Sequence, residues 1–181
     1  MNQADKALPL LSRFVRLNPN HSNALKNQGD AYFALGDFTR AAHVYQQVVV
    51  LEKHPDPELF LKITRAYMAA GTGYQKQAKE AIEQGILRLG PLVTIVMKGI
   101  ELELSQQNYG QALVLLEKLP KVVKDSPKWL VQRGDILNKS GRKEEAILAN
   151  NRAISKIESL PISRRNTRKM IQLISTLKSS P

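Results

Sequence analysis

One order of residue types returns along this chain at an interval of about 34 residues, and that periodicity constrains the fold more than any single motif. Leu25, Gly29-Asp30, Tyr32, Gly36, Ala41 and Tyr45 set the order. Leu130, Gly134-Asp135, Leu137, Gly141 and Ala146 repeat it at the same internal spacing. Phe60, Ile63, Tyr67, Gly71 and Ala78 form another copy, with two extra residues in the turn around Thr72-Gly73. Val96, Ile100, Tyr109, Ala112 and Leu116 form the weakest one. Apolar residues at helical spacing on both sides of each turn predict two amphipathic helices per unit. Such a pair cannot bury its apolar face alone, so neighbouring pairs must stack.

The repeated small residues have a steric reason. Gly29 and Gly134 are predicted where two antiparallel helices approach, with Ala41 and Ala112 doing the same from the second helix. Leu25, Tyr32 and Tyr45 fill the remaining space. Gly36, Gly71 and Gly141 are predicted to end first helices, where a left-handed residue is needed. The third copy departs most: Ile100 stands at the small position, Glu103 at the aromatic one, and Pro120 cuts the second helix short.

In these residues the chain resembles the tetratricopeptide repeat family. Its pattern of a large apolar residue, Gly, an aromatic, Ala, an aromatic and a closing Pro is met by Leu25, Gly29, Tyr32, Ala41, Tyr45 and Pro55. In the last copy Leu130, Gly134, Leu137, Ala146 and Asn150 hold those places, with Pro161 closing. The resemblance covers nearly the whole chain and implies an all-α right-handed superhelix, an α-solenoid of helix-turn-helix units. The predicted organisation is the second helix of a partial repeat over 1–19, then repeats over 22–55, 57–91 (with the turn insertion), 93–126 (divergent) and 127–161. A basic capping helix and tail over 162–181 complete it. Ala7, Leu11, Phe14 and Pro19 match a second helix without its first, which reads as a fragment opening at Met1; a solitary capping helix is the alternative. In the cap, Met170, Ile171, Leu173, Ile174 and Leu177 recur at helical spacing, with Arg164, Arg165, Arg168 and Lys169 outward as a basic patch.

Few enzyme classes survive the composition. Without cysteine the chain has no disulfide, thiolate metal site or cysteine nucleophile. His21, His43 and His54 lack helix-face spacing, so no metal is expected. Glu144-Glu145 and Glu101/Glu103 read as solvated helix surface rather than acid/base pairs. Gly71-Thr72-Gly73 lacks the lysine of a phosphate loop and follows a helix. The expectation is a non-enzyme without cofactors. No run is long and apolar enough for a membrane span, and Met1 to Asp5 does not open a signal peptide, so the default compartment is cytoplasmic, with export left open if a leader precedes Met1.

The resemblance implies that the first helix of each pair lines a concave groove that holds a protein or peptide segment. By phase, the first full repeat offers Asn23, Lys26, Asn27, Asp30 and Phe33; the second Glu58, Leu61, Lys62, Arg65 and Met68. The third offers Thr94, Met97, Lys98, Glu101 and Leu104; the fourth Lys128, Val131, Gln132, Asp135 and Asn138. Mixed cations, amides and apolar groups suit a segment with an acidic residue. The carboxylate clamp by which some members hold a chaperone's C-terminus is disfavoured. Asp30 stands where an Asn is required, Lys62 replaces the second Asn and Thr94 the third-helix Lys.

Charge is uneven. The chain carries 27 Lys+Arg against 16 Asp+Glu, a net +11. Residues 127–181 contribute 12 cations and 4 acids, which favours acidic partners. The alternative to a groove-binding scaffold is a nucleic-acid- or anionic-surface-associated protein using the C-terminal basic helix. Missing stacking aromatics weigh against nucleic acid, and membrane insertion is not expected. Self-association through the N-terminal half-repeat is a further option.

Overall fold

In the computed structural model, which describes residues 3–179, helices follow one another without a strand among the described residues. Local sequence signals set their ends. Helix α1, Gln3–Leu17, is followed by α2, Ser22–Ala34, and α3, Phe38–Leu51. His21 caps α2, its Nδ1 accepting from the Ala24 amide at 3.1 Å, and Asp37 Oδ1 accepts from the Arg40 amide at 3.2 Å to cap α3. Helix α4, Pro57–Ala70, opens on Asp56, whose carboxylate accepts from the Glu58 amide, and on Pro57, whose fixed φ suits a first turn. Gly71, at φ 107°, stops it, and the inserted residues form a 3-10 turn, Thr72–Tyr74, before α5, Gln75–Leu89. Helix α6, Val93–Ser105, α7, Tyr109–Glu117, and the one-turn α8, Lys121–Lys124, come next. Then follow α9, Pro127–Lys139, α10, Lys143–Glu158, the one-turn α11, Ile162–Arg165, and α12, Arg168–Ser179.

The chain divides into two units, Met1–Lys98 and Gly99–Pro181, with the boundary inside α6. In the first, α2 packs on α1 and α3, α3 on α4, and α4 on α5. Its core holds Leu25, Tyr45, Phe60, Ile63 and Tyr67, each no more than 3% exposed. Gly29 lies against the Tyr45 ring, so the expected close approach is present. The corresponding small residue of α4 is Thr64, fully buried, its hydroxyl donating to the Phe60 carbonyl at 2.8 Å. The Arg88 guanidinium reaches back to the carbonyls of Val49 and Glu52, at 2.7 and 3.0 Å, and so satisfies the open end of α3.

In the second unit α9 and α10 pair, and Gly134 meets Asn150 where Gly29 meets Tyr45. Trp129 is buried at 3% exposure, which removes it as a stacking platform. As Pro120 predicts, α7 stops early, at nine residues.

The C-terminal segment differs from expectation. The single capping helix expected within 162–181 is replaced by α11 and α12, broken at Asn166-Thr167. The Thr167 carbonyl and hydroxyl both accept from the Met170 amide, at 2.9 and 3.4 Å, so Thr167 starts a new helix instead of continuing the old one. Leu177, Leu173 and Ile174 cover Leu130, Ala153 and Ile154, whereas Ile171, expected in that cover, is 57% exposed. Residues 180 and 181 of the expected tail lie outside the described residues.

Candidate functional site

The exposed faces of α2 and α4 are linked by one carboxylate. Asp30 Oδ1 accepts from the Tyr45 hydroxyl at 2.6 Å and from Lys62 Nζ, also at 2.6 Å. The same ammonium lies 5.4 Å from the centre of the Tyr45 ring. Repeat geometry allows this: by phase Asp30 corresponds to Arg65, and Lys62 lies about one turn before that position on the same face of the next first helix. Burial, then the hydrogen bond to Asp30, pushes the Tyr45 phenol above its ordinary range. Asp30 is thus neutralised by Lys62 and tied down from below.

The other expected groove residues of this unit divide. Arg65 is half-exposed, with an ion pair to Glu58 at 3.7 Å. Lys26 turns away to Glu52, at 2.7 Å. Phe33 packs edge-on against Phe38 at 5.1 Å, and Met68 is half-buried, so both give only part of their surface to this face. Asn27 and Asp30 also border a mostly apolar hollow of about 710 Å³ against Ala7, Leu11 and Phe14 of α1. On α6, Lys98 is half-buried and Glu101 exposed. On α9, Gln132 is half-buried, and partial burial pushes the Asp135 carboxyl up while Lys139 pulls it down.

The basic patch is not one helix face. Arg164 and Arg165 sit on α11, Arg168 and Lys169 in the first turn of α12. Arg165 donates to the Glu158 carbonyl at 3.1 Å. No group of His, Asp and Glu that could hold a metal ion occurs among the described residues, and no described helix is long and apolar enough to cross a membrane.

A second charged cluster escaped the phase argument. Glu117, at the end of α7, takes Lys124 Nζ at 2.7 Å and the Arg133 guanidinium together. The hydrogen bond from Lys124 holds this carboxyl below its ordinary value against partial burial, with Arg133 adding to the effect. The shortness of α7, legible at Pro120, was the available signal.

Helix pairs in tandem, with charged residues on their first helices, define an all-α helical-repeat protein. Residues 1–57 match the tetratricopeptide repeat family model, and solved tetratricopeptide repeat proteins share the fold over most of the chain. MamA matches at 18% identity and a TM-score of 0.65, over 88% of this chain and 88% of its own. YrrB, described as a TPR protein with an unusual peptide-binding site, matches at 12% identity and a TM-score of 0.63, over 99% of this chain and 85% of its own. A thermophilic TPR protein of Thermus thermophilus matches at 18% identity and a TM-score of 0.53, over 98% and 90%. No curated protein matches this chain.

Proposed function

We propose that this chain is a non-catalytic scaffold that grips a peptide or protein segment against the first helices of its repeats. The observation that carries the reading is the α2/α4 face, where Lys62 is committed to Asp30 while Arg65, one turn along α4 from Lys62, keeps a 3.7 Å contact to Glu58 and stays exposed. Pairing Asp30 removes the like charge that an incoming carboxylate would otherwise meet, while Arg65 offers a bidentate donor to it. Rigid helix pairs keep the ordering cost of binding low. YrrB, a protein of similar fold, is described as having an unusual peptide-binding site, which supports the reading.

Peptides selected from a random display library against the whole chain test the reading. Calorimetric titration of the selected peptides should show about tenfold weaker binding to Arg65→Glu, with an unchanged melting temperature. Equal affinity for wild type and Arg65→Glu would refute this face as the grip. Arg65 is preferred to Lys62 for reversal, because Lys62→Glu would set two carboxylates side by side.

A further inference from the structure

Helix α7 is the exception among the second helices of the full pairs. It has nine residues, where α3 has 14, α5 has 15 and α10 has 16. Five missing residues correspond to about 7 Å of helix. Pro120 prevents continuation, since it can offer no amide to the ladder. Buried Leu119 and the turn α8 replace part of the lost helix. What remains is a hollow of about 600 Å³ in the Gly99–Pro181 unit, between the end of α7, α8, α9 and α10.

This hollow is not the groove. On α9 it is lined by residues 130, 133 and 137, whereas the groove phase falls on 128, 131, 132, 135 and 138. At about 100° per residue the two sets lie on opposite sides of the helix.

Its chemistry is layered. The floor is apolar, made by Leu130, Leu137, Ala149 and Leu148, the last 68% exposed with no covering side chain to account for it. The rim is charged, and its cations are unequally committed. Lys124 and Arg133 are held by ionised Glu117. Arg152 makes one long contact to Asp125, at 3.3 Å, and stays 63% exposed. Lys121 has no ion-pair partner among the described residues. An arriving carboxylate therefore finds Lys121 unpaired and Arg152 to be shared with Asp125, without displacing Glu117. The third lining acid, Glu145, is already paired with Arg142, and an apolar side chain beside the carboxylate covers Leu148. The surrounding unit, with 15 basic and 8 acidic residues over 99–181, attracts an acidic segment before contact.

We propose that this hollow is a second docking site, for an acidic amphipathic peptide segment that seats a leucine-sized side chain on Leu148 and pairs its carboxylates with Lys121 and Arg152. Its occupant takes the place of the turns that α7 lacks, in the helix-in-groove manner. The site is independent of the α2/α4 face.

The test uses the full chain and a fluorescein-labelled peptide of roughly twelve residues alternating Glu-Glu with Leu-Leu. Anisotropy should show binding that weakens about tenfold in Lys121→Glu/Arg152→Glu and in Leu148→Glu, and that survives in Arg65→Glu. All three positions are exposed, so circular dichroism melts should match wild type. Hydrogen exchange should show protection over α8 to α10 on peptide addition. Equal binding to the Lys121→Glu/Arg152→Glu protein, loss only in Arg65→Glu, or no binding at millimolar peptide would each overturn the proposal. Equal binding by a peptide with Lys in place of Glu would also overturn it, because the pairing would then be irrelevant.

Discussion

The ring of Tyr45 lies against the backbone of Gly29 so closely that a Cβ there would stand 2.5 Å from the ring. The glycine lets α2 and α3 come together, and the tyrosine uses the space. Gly29→Ala gains helix propensity of about 1 kcal/mol but forces the ring aside, at a cost of about 1–3 kcal/mol. A net loss of stability is expected in urea melts. In a Tyr45→Ala background the same substitution should become stabilising; a loss of equal size in both backgrounds would refute the steric account.

Asn150 occupies the corresponding place beside Gly134, but its Oδ1 is buried without a hydrogen-bond partner among the described residues. An orphaned polar atom costs about 1–3 kcal/mol. Asn150→Val, which removes the amide and shortens the side chain, should therefore raise the melting temperature. A fall would show that the amide has a partner in solution.

Tyr45→Phe removes the hydroxyl that donates to Asp30. Because Asp30 is half solvated, the expected cost is about 1 kcal/mol, below the upper range for bonds to charged groups. The folded phenol ionises above its ordinary value of 10.0, so the native state keeps its proton longer than the unfolded chain does. That contribution to stability is whole below pH 10 and is lost as pH rises through and beyond it. Melting temperatures between pH 9 and about 11 should fall less steeply in Tyr45→Phe than in wild type.

Glu117 gives the opposite sign. Its carboxyl is held below its ordinary 4.5, first by the hydrogen bond from Lys124. The stability it adds is present above that value and is lost as pH falls below it. Glu117→Gln should flatten the acid limb of a melting-temperature profile. Since Glu117 is 46% exposed, salt should shrink the difference between the two proteins.

The repeat interval, the helix pairs, the turn insertion at Thr72 and the early stop at Pro120 were all legible in the sequence. Each is written in local spacing or in the backbone limits of Gly and Pro, which act wherever the chain is placed. The capping segment was misread because Asn166-Thr167 is a weak helix-start signal inside an apolar pattern that continues across it. The small position of α4 was missed because Thr64 is not a glycine, although it packs like one.

What only the tertiary structure decided is which side chains meet. Asp30 and Lys62 are 32 residues apart, and Arg88 reaches carbonyls 39 and 36 residues away. Phase places both Lys26 and Lys62 among the expected groove residues, yet one turns to Glu52 and the other to Asp30. A helical pattern fixes the direction in which a side chain leaves its own axis. Its partner, and any gap left beside it, depends on how long the neighbouring helix is and where that helix ends.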